Sequence, residues 1–207
     1  MQRPTCKGLR VRSPADAHII FHAVSLGLLP IVSRRLDAEE RRAITTGCVF
    51  VWEERGPNTE ATGLGIERWT DSIRWGPSRV RDEFLFYHEK QQAEVEMGSD
   101  SDAAFYKEKL IKQTYSVFAD TPKGRRKWHL IAYFTHGTLP SLRTIHDIPE
   151  LASLHVPFGK YMSARSKPRP PRDAQGLVPL SYLENIPPIR RHPLDEKALM
   201  SFTLTFR

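Results

Sequence analysis

Apolar residues first recur at helical spacing. Ala17, Ile20, Phe21, Val24 and Leu28 fall on one stripe, and Ser13, Pro14 and Asp16 ahead of it supply a cap, a first-turn proline and an acid facing the helix dipole. The pattern predicts a helix over about residues 14–27, ended by Pro30. Asp37 with Glu40 repeats the capping signal, so a short helix is expected before Gly47 stops the chain after Ile44. The pattern then becomes strand-like. Residues 48–52 (Cys, Val, Phe, Val, Trp) form a continuous apolar run, and residues 84–87 form another. Over 110–118 the chain alternates, with Leu110, Lys112, Thr114 and Ser116 opposed to Ile111, Tyr115 and Val117. Over 128–134 it sets Leu130, Ala132 and Phe134 against His129, Ile131 and Tyr133. Two early helices followed by several strands predict an α+β fold.

The strands come from two blocks, residues 9–90 and 103–150, so one sheet shared between them is expected. Between the blocks, at 91–102, Glu94, Glu96, Asp100 and Asp102 form an acidic island that reads as a solvated spacer. Gly124 with Arg125, Arg126 and Lys127, after Pro122, reads as a hairpin turn. Residues 151–207 hold eight prolines and read as an irregular basic tail, partly docked through the apolar pieces 177–183 and 199–206. A long connection, 53–80, is rich in Gly and Pro yet carries Trp69 and Trp75, whose rings are expected to anchor it to the core.

Composition narrows the function. At 207 residues and 40% apolar, the chain has the material for one domain with a core. No run of about 18 apolar residues is present, so no membrane span is expected, and the basic first twelve residues lack the apolar stretch of a secretory signal. Cys6 and Cys48 are too few for a disulfide framework or a four-cysteine zinc site, which suggests a reducing compartment. Lys and Arg number 31 against 24 acids, a net charge of +7. Such a balance attracts polyanions, either nucleic acid or anionic lipid. The excess is uneven: residues 107–127 hold seven basic residues and two acids.

Candidate chemistry concentrates in the 53–80 connection. Arg68-Trp69-Thr70-Asp71 and Arg74-Trp75-Gly76-Pro77-Ser78-Arg79 alternate cations with aromatic rings. Arginine enters a narrow A/T-rich minor groove or binds phosphate, Thr70 and Ser78 offer hydroxyls, and packed tryptophans preorganise a loop. The same pattern also fits a structural loop with arginine stacked on tryptophan. Residues 66–90 hold five basic and five acidic residues, so any affinity there depends on placement rather than on bulk charge. Lys112 and Gln113, on a predicted strand, are a second pair suited to phosphate or a base edge, or else a solvated face. The Lys167–Arg172 stretch, basic and proline-rich, fits a nuclear-import patch, an extended ligand or a plain linker. His18 and His22 have metal-ligand spacing, but no further ligand completes a site. No phosphate-binding glycine loop and no nucleophile elbow occur. No catalysis, cofactor or metal is therefore expected.

Taken in order, these motifs resemble the WOPR-box family, fungal transcriptional regulators of morphological and developmental switching. The likeness runs through residues 22–30, Arg34-Arg35-Leu36 and 47–53. It is strongest at Arg68-Trp69-Thr70-Asp71 and Trp75-Gly76-Pro77-Ser78-Arg79-Val80, and it resumes at Phe84-Leu85, 110–117 and the strand ending at Tyr133. Its coverage is about residues 9–165. The resemblance implies a DNA-binding domain over 9–150, with halves 9–90 and 103–150 interlocked through a shared, mostly antiparallel sheet with N-terminal helices and joined by the spacer 91–102. It implies a nuclear transcription regulator that reads a short A/T-rich element in double-stranded DNA, partly through a minor-groove loop, with transcriptional co-regulators as further partners and no membrane association. Carried over by position, the DNA-binding set is Arg68, Trp69, Thr70, Asp71, Arg74, Trp75, Ser78, Arg79, Lys112 and Gln113. The chain departs from the family where Ser72-Ile73 stands for a usual Gly-Arg, Gly76 for a usual Ser and Gln113 for a usual Lys. The competing expectation is a protein-interaction module using the Pro-rich basic tail.

Overall fold

The computed structural model describes residues 1–56, 65–90, 108–122 and 124–165. Ser13 caps the first helix, α1 (Pro14–Ser25), its hydroxyl accepting from the Asp16 N–H. Ala17, Ile20, Phe21, Ala23 and Val24 are all buried. The helix stops two residues short of the expected end, at a C-cap on Leu26, and Gly27 takes the left-handed conformation that terminates helices. The second helix, α2 (Ala38–Arg42), carries a complete capping box between Asp37 and Glu40. Glu40 also accepts from Arg34 and from the Gln2 backbone. Burial opposes its charge, but the N–H groups of Asp37 and Gln2 and the Arg34 guanidinium outweigh that and hold the carboxyl down at about 2. A glutamate that reads as surface in the sequence thus fastens the N-terminus to α2.

The strands are β1 (Val49–Glu53), β2 (Arg79–Arg81), β3 (Phe84–His88), β4 (Ile111–Thr121), β5 (Gly124–Phe134) and β6 (Tyr161–Ser163). All pairings between them are antiparallel, in the order β1-β5-β4-β3-β2, with β6 against the far half of β4. β1 and β3 belong to the first half of the chain, β4 and β5 to the second. The β4–β5 hairpin lies between strands of the other half, which is the interlock the resemblance implies.

Both faces of the sheet are covered. Val49, Val51, Phe84, Tyr115, Val117, Leu130 and Ala132 share a core with α1. On the reverse face, Phe50, Trp52, Ile131 and Tyr133 pack with Val32, Leu36, Ile44, Ile66, Trp69 and Trp75. Two buried faces explain why β1 is an unbroken apolar run with no alternation.

Three sequence expectations change. Gly124–Lys127 is not the hairpin turn: β5 starts at Gly124, and Arg125 and Arg126 pair with Asp120 and Ala119. The backbone reason lies at Gly124, whose φ of +93° lets the reversal finish there. The chain after residue 150 is not all tail, because a short helix, α3 (Pro149–Ala152), buries Leu151, and β6 adds to the sheet, with Tyr161 stacked on Phe21. β2 was not anticipated. It joins β3 through Asp82 and Glu83, both at positive φ (+48° and +70°), a two-residue reversal suited to sheet twist. The acidic island and the tail beyond residue 165 lie outside the described residues.

Candidate nucleic-acid interface

The loop over residues 65–78 is tied down at both ends by main-chain bonds. Ile66 N–H donates to Glu53 and Arg55 N–H to Ile66, while Gly76 N–H donates to His88 and Lys90 N–H to Arg74. Between these ends, side chains point alternately in and out. Trp69 lies against Phe50 and Trp52, with ring centroids 5.1 and 6.3 Å away, and its Nε1–H donates to the Tyr133 hydroxyl at 2.7 Å. Asp71 is 6% exposed. Its carboxylate accepts from Trp75 Nε1–H at 3.0 Å, Tyr133 O–H at 2.8 Å, Lys112 Nζ at 3.0 Å and the Ile73 N–H at 3.2 Å. The Lys112 ammonium also sits 4.5 Å over the Trp75 ring and 5.1 Å from that of Tyr87.

This cluster works as a latch. Burial penalises the Asp71 charge, but Lys112 and the Trp75 and Tyr133 donors outweigh it and lower the carboxyl pKa. Burial pushes Tyr133 well up, and the Asp71 charge adds to this, so the phenol stays a donor. Ser72, next to Asp71, has φ +62°, a conformation that favours glycine. A glycine, which the resemblance leads one to expect at this position, takes this turn without strain, and serine adopts it at some cost.

The expected site residues divide. Arg68, Thr70, Arg74, Ser78 and Arg79 are exposed, and none of these three arginines forms an ion pair with another described residue. Trp69 and Trp75 brace the loop from within. Asp71, Lys112 and Gln113 do not face outward as the sequence suggests. Asp71 and Lys112 neutralise each other, the lysine side chain being 12% exposed. Gln113 is 3% exposed on the opposite face, its Nε2–H donating to the Val11 carbonyl. Neighbours on a strand point to opposite faces, so Lys112 and Gln113 cannot serve one surface. Arg79 pairs with Phe86 and shares that residue's face of the sheet, not the loop's.

Sequence reasoning missed Tyr133 as the hinge of the latch, and also a second cluster on the loop's face. His129 stacks on Trp52 at 4.2 Å, accepts from or donates to Ser116 at 2.7 Å, and lies 2.7 Å from Glu54, which Lys127 also bridges. The alternation over 128–134 put His129 and Tyr133 on one face, but nothing local named their partners. Burial lowers the pKa of His129 despite Glu54, and it lowers those of His18 and His22 too. The fold therefore prefers neutral imidazoles. Below the ordinary value of 6.5 the unfolded chain takes up protons that the native state refuses. Stability is expected to be full above that pH and to decline as pH drops from there towards 5, before the carboxylates titrate. Urea midpoints at pH 7.5 and 5.5 check this: the midpoint falls on acidification, and less so in His129→Gln.

The structure matches the WOPR domain of Wor1 from Candida albicans in complex with 13-base-pair double-stranded DNA, with a TM-score of 0.59 and 27% identity, covering 76% of this chain and 93% of that one. The Gti1/Pac2 family matches over residues 7–103. The cAMP-independent regulatory protein pac2 of Schizosaccharomyces pombe is 32% identical, over 74% of this chain and 80% of that protein. The chain belongs to the Gti1/Pac2 family. The global transcription regulator sge1 of Gibberella moniliformis is 43% identical over 91 residues, 44% of this chain but 25% of that protein. Both of these relatives of the Gti1/Pac2 chain are regulatory proteins by name. The family match contains the whole Arg/Trp loop, and the structural match extends to the second half that supplies Lys112 and Tyr133 to the latch.

Proposed function

We propose that this chain is a DNA-binding transcription regulator of the nucleus. It reads a short A/T-rich duplex element through the outward side chains of the 65–78 loop. Arg68 and Arg74 enter or flank the minor groove, where a narrow A/T tract concentrates negative potential. Thr70 and Ser78 donate to phosphate. Trp69, Asp71, Trp75 and Lys112 act by holding the loop in shape, which reduces the ordering cost of binding. Arg79 contributes from the flank, and Gln113 supports the scaffold.

The observation that carries this reading is the division of one loop into a buried, hydrogen-bonded half and an exposed half whose guanidiniums form no ion pair with another described residue. The Wor1 domain, which resembles this chain along most of its length, is bound to duplex DNA. Transcriptional co-regulators are the further partners expected of such a protein. The alternative based on the Pro-rich tail concerns residues outside those described, and no structural observation favours it.

Arg68→Ala is expected to weaken binding to an A/T-rich duplex by about 1–3 kcal/mol, as loss of one good groove contact does. Fluorescence anisotropy measures it. The wild-type affinity should also fall with salt by about one unit of log–log slope per phosphate neutralised. A flat salt response, or an unchanged affinity in Arg68→Ala, removes the loop from the interface.

A further inference from the structure

A groove of about 590 Å3 lies on the α1 face of the sheet, beside β2 and away from the Arg/Trp loop. Its floor is aromatic. Phe86 sits 6.2 Å from Phe84 and 6.5 Å from Phe134, centroid to centroid. Four arginines line it: Arg10 and Arg12 from the N-terminal segment, Arg79 and Arg81 from the edge strand. Among the described residues of the lining one carboxylate answers them, Asp82, an exposed side chain 3.5 Å from Arg81. Arg12 is partly neutralised from behind by Asp16. The buried Nε of Arg10 has no acceptor among the described residues.

We propose that this groove docks a short acidic peptide segment of another protein, carrying one or two large apolar side chains among its carboxylates. Guanidiniums on two elements suit carboxylates spaced along an extended chain. The phenyl floor suits an apolar side chain between those carboxylates. β2 is the last strand of the sheet order, so one row of its main-chain groups has no strand partner among the described residues and suits an added extended segment. A DNA duplex satisfies arginines too, but its stacked bases offer a recessed phenyl floor less apolar surface than a flexible side chain does. The proposal does not depend on the DNA reading, since the groove and the 65–78 loop lie on opposite faces of the sheet; Arg79, on the groove's side, is shared by both readings, and the proposal stands on Arg10, Arg12 and Arg81 without it.

The test uses the full chain and a fluorescein-labelled twelve-residue peptide of Asp and Glu with two Phe, beside a control of equal charge in which Ser replaces both Phe. The Phe peptide should bind about tenfold more tightly than the control, with amide shifts confined to residues 10–12 and 79–88. Arg81→Glu reverses an exposed charge, should weaken the peptide about tenfold and should leave the duplex affinity unchanged. Arg68→Ala should do the reverse. Equal binding of the two peptides, or indifference to Arg81→Glu, overturns the proposal. So does a duplex that shifts the same amides and weakens with Arg81→Glu, which assigns the groove to DNA instead.

Discussion

Asp71→Ala is expected to destabilise the protein by about 3–5 kcal/mol, the range for breaking one side of a buried, hydrogen-bonded ion pair. The variant leaves the Lys112 ammonium largely enclosed between Trp75 and Tyr87 without a counter-charge. It also removes the acceptor for Tyr133 O–H and Trp75 N–H. Each stranded donor adds a desolvation penalty of about 1–3 kcal/mol if nothing replaces the lost bond. Urea denaturation reads the effect on the midpoint. A loss below about 1 kcal/mol would mean that the pair is solvated like a surface salt bridge and does not latch the loop. Adding Lys112→Met should recover much of the deficit, because the double variant has no uncompensated charge, and the departure from additivity measures the coupling. Duplex affinity should drop in Asp71→Ala even though the carboxylate is buried, because Arg68 and Arg74 lose the platform that aims them.

Gly47→Ala is the second large effect, about 2–5 kcal/mol from two causes that add. Gly47 has φ +79°, where an L side chain is strained by about 1–2 kcal/mol. A Cβ there also meets Gly8 Cα and Leu142 Cδ2 at 2.8 Å and Gly8 N at 2.9 Å. Leucine can move, but the Gly8 backbone cannot. Arg143 N–H donates to Gly8, Leu9 N–H donates to Gly47, and Cys6 and Val49 exchange a pair of bonds alongside. Gly27→Ala separates the two causes: φ there is +73° with nothing within 4 Å, so it keeps the strain and drops the clash. Thermal unfolding should show Gly47→Ala well below Gly27→Ala. Equal melting temperatures would mean that the crossing of Gly8 over Gly47 is soft.

How much of this was legible follows from the range of the forces involved. The α1 start was visible because a cap is local: Ser13, Pro14 and Asp16 act on the same turn. Four strands were visible because period and β-branched content are local too. The sharing of one sheet between the halves followed from counting strands in each. β2 and β6, three residues each, are too short to show a period, and they form because β3 and β4 offer them edges. Gly47, placed as a helix stop, is required mainly by a chain segment almost forty residues earlier. The loop's tryptophans were rightly placed as anchors. The roles of Asp71 and Lys112 were not, since an aspartate in a loop and a lysine on a strand look solvated until Tyr133 and Trp75 close around them. Pairing between residues distant in the chain sets those roles, and no window of sequence contains it.

The interlocked strand order has a consequence for biosynthesis. β1 has one neighbour in the strand order, β5, and Val49 is matched to Ala132. At about 5–20 residues per second, a ribosome takes several seconds to deliver that neighbour. Through that interval the nascent chain holds an apolar ribbon, Val49-Phe50-Val51-Trp52, whose one flank can pair with Cys6 and Val32 while the flank that β5 will cover stays open. A released first half would never acquire its mate, so a premature stop in the spacer should yield a species prone to clumping and dependent on chaperones, not a half-active domain.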